Sequence, residues 1–292
     1  MEILNPIFII GSGRSGTTIL YDLLAGHKEL GWFSSYTNKY PQKPELAKLN
    51  SLYKIVEISR KYRKTKYFPN PHEGHDIWDY FHPINEGKDK GASPPFDESD
   101  VENANIGLMK NTIIKHLLSS GTSRFINKNT RNTRRMLYLY TIFPDCKFIH
   151  IIRDGRANIN SIINVDWWEN LEPWFENEGK TISQLIKEGK NELILGARCW
   201  KQEVSRALND SKKIRRNQYL DIRYEDLTNN PNATIEQILN FSDLDFSNHF
   251  RKHVNSFSIK NMNYKYKNNF TKSELDLIEN ETGDLLRDLK YN

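Results

Sequence analysis

The chain has 292 residues, with 42 Lys and Arg against 37 Asp and Glu, a net charge of +5. That length buries a full core, and 37% hydrophobic with 27% charged residues excludes collagen-like, mucin-like and disordered classes. The mean hydropathy of −0.71 argues against a membrane span, two cysteines argue against a disulfide framework or a cysteine zinc site, and the mild basic balance suits an anionic ligand in a pocket better than nucleic acid.

The N-terminus lacks the basic and apolar regions of a signal peptide, so a cytoplasmic location is expected. Residues 6–10 (PIFII) form an apolar run without alternation, which reads as a strand buried on both faces. Gly11-Ser12-Gly13-Arg14-Ser15-Gly16 follows, and residues 17–25 have helical spacing. Residues 43–64 read as one helix with a basic tail of Arg60, Lys61, Arg63 and Lys64. Residues 66–99 read as an irregular loop, long enough to be functional on length alone. Asp97 or Ser99 is placed to cap a helix running to about residue 118 and ended by Gly121. Residues 124–127 suggest a short strand, 130–142 a helix, and 147–152 a strand leading into Arg153-Asp154-Gly155-Arg156 and a helix to about 163. An aromatic loop with Trp167, Trp168, Trp174 and Phe175 precedes a predicted helix over 181–208. A strand at 219–224, a helix over 231–241, the Asn263-Tyr264-Lys265-Tyr266-Lys267 stretch and a last amphipathic helix over 272–289 complete the chain. Alternating strands and helices predict an α/β fold: a P-loop-type parallel β-sheet flanked by helices in three layers, α/β/α, as a single domain over 1–292.

A strand that enters a glycine loop and leaves into a helix aims backbone N–H groups and the helix dipole at one point, where phosphate binds. The spacing Gly11-x-x-x-x-Gly16-Thr17-Thr18 overlays the nucleotide P-loop, except that Thr17 stands where the lysine belongs. Without that lysine the loop can cradle a phosphate but is poorly equipped to discharge a γ-phosphoryl group. Arg14 supplies a cation inside the loop.

Gly11 to Thr18 resembles the phosphosulfate-binding loop of sulfotransferases that use 3′-phosphoadenosine 5′-phosphosulfate (PAPS). Residues 148–156, with Ser161 eight positions after Arg153, are similar to the 3′-phosphate motif of that family. Lys128-Asn129-Thr130-Arg131-Asn132 with Arg135 and Phe143-Pro144 resembles a segment of its bacterial and Golgi-type branch, the branch of carbohydrate and tyrosylprotein enzymes. Tyr224-Glu225-Asp226-Leu227 looks like the family's adenine-side motif, and 263–267 like its basic–aromatic C-terminal loop, so that 260–292 would close over the nucleotide.

The resemblance implies transfer of a sulfuryl group from PAPS to a hydroxyl or amine, leaving adenosine 3′,5′-bisphosphate (PAP), with no metal. It places Gly13, Arg14, Ser15, Gly16, Thr17, Thr18, Arg153, Ser161, Tyr224, Lys265 and Lys267 around the nucleotide. Arg14 and Lys128 would meet the charge developing as the S–O bond breaks. A base must also take the proton of the incoming nucleophile. The histidine used by the small-molecule branch is replaced by Thr130, and residues 31–38 hold no carboxylate where other branches keep a glutamate. Glu73, His75, Asp76 and Asp79 are the next candidates; Glu73 is preferred because its segment in the 66–99 loop resembles an acceptor-side segment of bacterial members.

Other features are read more plainly. His72, Glu73, His75, Asp76 and His82 lack the helical spacing of a zinc motif, so loop histidines are the simpler reading. The basic end of the 43–64 segment, with Lys66, suits the dipole of its own helix. Trp167, Trp168, Trp174 and Phe175 can stack on a sugar face or simply brace their loop. The alternative class is a P-loop kinase or other nucleotide-binding phosphotransferase. A non-catalytic anion-binding protein would need many more phosphate contacts than +5 provides. A carbohydrate or glycoconjugate is the preferred acceptor.

Overall fold

The computed structural model describes residues 2–81, 95–176 and 179–291. Among the described residues five parallel strands form one sheet: β1 (Ile7–Ile10), β2 (Leu30–Gly31), β3 (Arg124–Lys128), β4 (Lys147–Ile152) and β5 (Tyr219–Arg223), in the order β2-β3-β1-β4-β5. Ile9 pairs with Lys128 and Ile149, and Ile152 pairs with Arg223. Strand side chains alternate between two cores. Ile7, Ile9, Ile126, Ile149 and Ile151 face Leu20, Leu23 and Leu24 of the helix Thr17–Leu24, with Ile235 and Ile238 of the helix Pro231–Phe241. Phe8, Ile10, Phe125 and Phe148 face Met109, Ile113 and Leu117 of the helix Ile106–Ser120. Both faces are therefore apolar, which explains the unbroken hydrophobic strands and fixes the three-layer α/β/α architecture.

The chain leaves β1 toward one side of the sheet and, after β3, crosses to β4 on the other. Loops at the carboxyl ends of these strands diverge there and open a crevice, the place where α/β sheets bind ligands.

Several predicted elements differ from the observed ones. Residues 43–64 are not one helix: a 3₁₀ stretch Pro44–Asn50 and helices Ser51–Lys54 and Val56–Tyr62 are separated at Ile55, whose backbone is extended. Packing overrides local propensity, since the buried Asn50 turns inward and donates to the Trp32 carbonyl at 2.7 Å. The predicted helix over 181–208 is two, Ile182–Lys187 and Glu192–Ser211, because Gly189 is left-handed and Asn191 caps the second. Asp97 caps only a 3₁₀ turn, Glu98–Asn103; Asn105 caps the helix Ile106–Ser120, which Gly121 does end. The stretch after β3 is a 3₁₀ turn, Thr130–Arg134, before the helix Met136–Ile142. The 66–99 segment contains a helix, His75–Phe81, anchored by buried Ile77, Trp78 and Phe81; the rest of that prediction over 82–94, His82 included, lies outside the described residues. Tyr224 is not the end of β5 but opens the helix Tyr224–Asn229. β2 is too short to leave a periodic signal. Among the described residues no helix is long and apolar enough to cross a membrane.

Candidate active site

The loop after β1 is shaped by backbone that only glycine adopts easily. Gly11 has φ +149° and Gly16 φ +98°; a Cβ on Gly11 would stand 2.5 Å from the Ile151 carbonyl, and one on Gly16 2.5 Å from the Tyr224 ring. Arg14 is also left-handed, at φ +66°. Gly16 begins the helix Thr17–Leu24 with no side-chain cap, which leaves the first N–H groups for an anion. Two residues with no sequence signal brace the loop. Thr133 Oγ1 accepts from Gly11 N–H at 2.9 Å and donates to its carbonyl at 3.1 Å. Asn158 Nδ2 donates to Ser12 Oγ at 3.0 Å and to the Gly13 carbonyl at 2.8 Å.

The loop borders a cavity of about 600 Å³ lined by Gly13, Arg14, Gly16, Thr17, Thr18, Lys128, Arg153, Ser161, Tyr224 and Lys265, among others. Arg153 follows β4, donates through Nε to Asn263 Oδ1 at 2.8 Å and through Nη1 to the Arg14 carbonyl at 2.9 Å, and lies 4.6 Å from the Tyr224 ring centroid. Arg14 Nε donates to Ser161 Oγ at 3.1 Å. Its guanidinium therefore stands beside the Arg153–Ser161 pair, while the cation beside Glu73 is Lys128. Ser15 is fully buried; its hydroxyl donates to the Ser12 carbonyl at 2.7 Å and holds the turn. Lys265, Asn269 and Met262 line the cavity, but Lys267 does not. Residues 265 and 267 sit two apart in the helix Lys265–Asn269, so they cannot share a face, whereas Lys265 and Asn269 can.

Lys128, at the end of β3, is 3% exposed and points its ammonium at Thr18 Oγ1, 3.2 Å away, and at Glu73 Oε1, with which it forms an ion pair. Glu73 Oε2 lies 3.3 Å from His75 Nε2 and accepts from Thr130 N–H at 3.3 Å. The Glu73 carbonyl accepts from Asn127 Nδ2 and Asn129 Nδ2, both at 3.2 Å. Gly74, left-handed at φ +78°, leaves no room for a side chain against Phe33 and Ile77. Burial raises the Glu73 carboxyl, but hydrogen bonds and charge from His75 and Lys128 outweigh it and hold the group well below the ordinary carboxylate range. Asp22, one turn after Thr18, goes the other way: burial pushes it up to about 7 against the pull of Lys128 and Arg63. Asp76 is tied to Asn38 at 2.8 Å and Asp79 to Arg131 at 3.1 Å, so of the candidate carboxylates Glu73 alone meets Lys128.

Gly13, Glu73, Thr130 and Trp167 also line a second cavity of about 820 Å³. Trp174 and Phe175, in edge contact with centroids 6.0 Å apart, contribute to its wall. Trp168 does not. It is 1% exposed, donates to Glu192 Oε1 at 3.0 Å and packs with Ile162 and Ile182 as core. Glu203 and Cys199, which no motif marks, lie in the same wall. Burial pushes the Cys199 thiol up to about 12. Among the described residues no group of three or more His, Cys, Asp or Glu is arranged to hold a metal ion. Of the basic tail after residue 59, Arg63 stacks on Phe257 at 3.6 Å and bonds Ser256, while Arg60, Lys61, Lys64 and Lys66 are exposed.

A glycine loop at the carboxyl edge of a parallel sheet, with Glu73 lining both the cavity beside it and a second one, defines a P-loop-type α/β protein with two adjoining cavities. Residues 6–248 match the family described as "Sulfotransferase family", and the chain belongs to that family. It is 22% identical over 238 residues to protein-tyrosine sulfotransferase A of Caenorhabditis elegans, an alignment covering 82% of this chain and 50% of the relative. The chain thus spans about half the length of that curated relative. Its fold is similar to sulfotransferase STF9 from Mycobacterium avium (TM-score 0.62, 15% identity, 99% of this chain and 77% of the other). It is also similar to sulfotransferase STF1 from Mycobacterium tuberculosis (TM-score 0.56, 16% identity, 96% and 76%).

Proposed function

We propose that the protein transfers a sulfuryl group from PAPS to a hydroxyl or amine of an acceptor, leaving PAP, and that the acceptor is a carbohydrate or glycoconjugate. The observation that carries this reading is the Lys128–Glu73 ion pair at the wall shared by the two cavities. The described residues of the smaller cavity suit the donor: four cations, Arg14, Lys128, Arg153 and Lys265, against one carboxylate among them, beside an uncapped helix N-terminus. PAPS supplies the activated sulfuryl group.

In this scheme Gly13, Gly16, Thr17 and Thr18 hold the 5′-phosphate, with Ser15 fixing the turn. Arg14, Arg153 and Ser161 hold the 3′-phosphate and Tyr224 flanks the adenine. Lys265 closes the cavity from the C-terminal segment 260–292; Lys267 is left on the outside. Lys128 stabilises negative charge as it develops on the leaving oxygen. Glu73 takes the acceptor's proton. While Lys128 is bonded to Glu73, the carboxylate is a weak base; negative charge arriving on the opposite side of Lys128 competes for the ammonium and raises the proton affinity of Glu73. Trp167, Trp174 and Phe175 offer the acceptor flat apolar surface. A protein tyrosine is the second acceptor reading, favoured by the similarity to the Caenorhabditis elegans enzyme.

The test is calorimetric titration of the full chain with PAP, alongside ATP with Mg²⁺. PAP binding near micromolar with ATP weak is expected. ATP bound in place of PAP would overturn the donor assignment.

A further inference from the structure

The larger cavity holds a histidine that no step described so far uses. His75 opens the helix His75–Phe81 and stands two residues from Glu73, across the left-handed Gly74. It lines the larger cavity, and its side chain is 38% exposed. A histidine beside a carboxylate in such a cavity can play one of two roles. With a bare Nε2 facing the carboxylate it would take up a proton as a base; with a hydrogen on Nε2 it donates to its neighbour. The partners of the ring decide between them.

Asn129 is fully buried, and its amide has one permitted orientation. Oδ1 accepts from the Arg131 N–H at 2.9 Å as the cap of the 3₁₀ turn Thr130–Arg134. Nδ2 lies 3.2 Å from the Glu73 carbonyl, which can only accept. The same amide nitrogen faces His75 Nδ1 at 3.3 Å and presents its second hydrogen to it. Nδ1 is therefore the bare nitrogen, and the ring hydrogen sits on Nε2. Nε2 in turn lies 3.3 Å from Glu73 Oε2, where an ionised carboxylate calls for a donor. The opposite tautomer would set hydrogen against hydrogen at Asn129 and lone pair against lone pair at Glu73. Two independent partners thus select the same form.

We propose that His75 is a positioning residue for Glu73: held by Asn129 as the Nε2–H tautomer, it donates to Glu73 Oε2 and is not itself the base. The inference rests on the sulfotransferase reading above. Lys128 holds Oε1, and it is the partner that charge developing on the leaving oxygen draws away. His75 and the Thr130 N–H donate to Oε2 and stay behind. The carboxylate then keeps its place as the ammonium turns, instead of following it. Asn127 and Asn129 do the same for the main chain through the Glu73 carbonyl.

The test begins with the tautomer. The full chain is labelled with ¹⁵N-histidine, two-bond ¹H–¹⁵N spectra are recorded, and His75 is assigned from its absence in His75→Gln. A bare Nδ1 and a protonated Nε2 are expected; a protonated Nδ1 overturns the proposal. Asn129→Asp puts an acceptor where the amide donates, so Nδ1 should gain a proton, and an unchanged Nδ1 overturns the lock. Turnover is then followed as PAP release from PAPS, with water, tyrosol or p-nitrophenyl β-glucoside as the acceptor. His75→Ala is expected to lower kcat about tenfold, the worth of one hydrogen bond to a charged group, with little change in the KM of the two organic acceptors. His75→Gln should recover most of that loss, because its amide can donate to Glu73 and accept from Asn129 yet cannot act as a base. Equal losses in the two variants overturn the role given to His75, while turnover by the parent leaves the transfer reading standing. Absence of PAP release by the parent in all three mixtures overturns the transfer reading and the role of His75 together. Should His75→Ala or Asn129→Asp fail to fold, the tautomer in the parent and the rate of His75→Gln against the parent still decide.

Discussion

The two cavities meet at Glu73 and are built from opposite materials. The smaller is walled by main-chain loop and cations, and its shape comes from Gly11, Gly16 and the braces Thr133 and Asn158. The larger is walled by side chains, aromatic on one part and acidic on another, and its shape comes from Trp174, Phe175 and Glu203. The difference teaches how one fold can keep one cavity and vary another. A phosphate cradle needs backbone geometry that tolerates few substitutions, whereas an acceptor wall is made of side chains and can be exchanged without disturbing the sheet.

Breaking the shared wall should have the largest effect. Lys128→Ala and Glu73→Gln are each expected to lower kcat by at least about 10²-fold, the usual cost of losing a stabilising charge or a positioned base. PAP affinity should change little in Glu73→Gln. Single-turnover rates check this, and equal, mild losses at Lys128, Glu73 and Arg153 would refute the division of roles. Next is Arg153→Ala, which removes charge-assisted hydrogen bonds from the smaller cavity and should weaken PAP binding about thirtyfold by calorimetry while leaving the rate at saturation nearly intact. Arg14→Ala should now resemble Arg153→Ala more than Lys128→Ala, because its guanidinium stands at Ser161. A kcat defect matching that of Lys128→Ala would return Arg14 to the reacting centre.

How far the sequence shows all this follows the same division. The continuous apolar strands and the Gly11–Gly16 spacing are local signals, and both appear in the structure where the residues predict them. Lys128 is legible because a strand end is a local position. The direction of the Arg14 side chain is not, since it depends on Ser161, 147 residues away. Thr133, Asn158 and Glu203 carry no motif; they matter through distant partners, and a polar residue bound for the interior looks like any other in the chain. The split of 43–64 and the inward turn of Asn50 have the same origin, tertiary contacts overriding helical preference. Lys267 shows a further limit: a basic run marks a region, but helical phase decides which of its charges faces the cavity.

The two carboxylates around Lys128 give a smaller effect, on stability. Asp22 is pushed up to about 7 by burial. Between the ordinary carboxylate range and that value the folded chain binds more protons than the unfolded one, so its contribution to stability falls as pH rises through this window. Asp22→Asn removes that loss and should gain about 1 to 2 kcal/mol at pH 8, with no gain at pH 4, in urea midpoints. Glu73 has the opposite sign. Its depressed carboxyl contributes stability above the ordinary carboxylate range, lost only as pH falls well below it, so Glu73→Gln should destabilise at neutral pH.

The smallest effect tests the aromatic wall alone. Trp174 presents its ring to the larger cavity and holds Glu203 through its indole N–H. Trp174→Phe keeps the flat surface and loses that bond; Trp174→Ala loses both. If stacking dominates, Trp174→Phe should retain the acceptor KM of the parent while Trp174→Ala raises it about fivefold, the value of one aromatic contact. If the bond to Glu203 dominates, the two variants should be equally impaired, because both lose the indole N–H that Glu203 accepts. PAP affinity should stay constant in either case, since Trp174 does not line the smaller cavity. A shift in PAP affinity would show that the two cavities are coupled through more than the wall at Glu73.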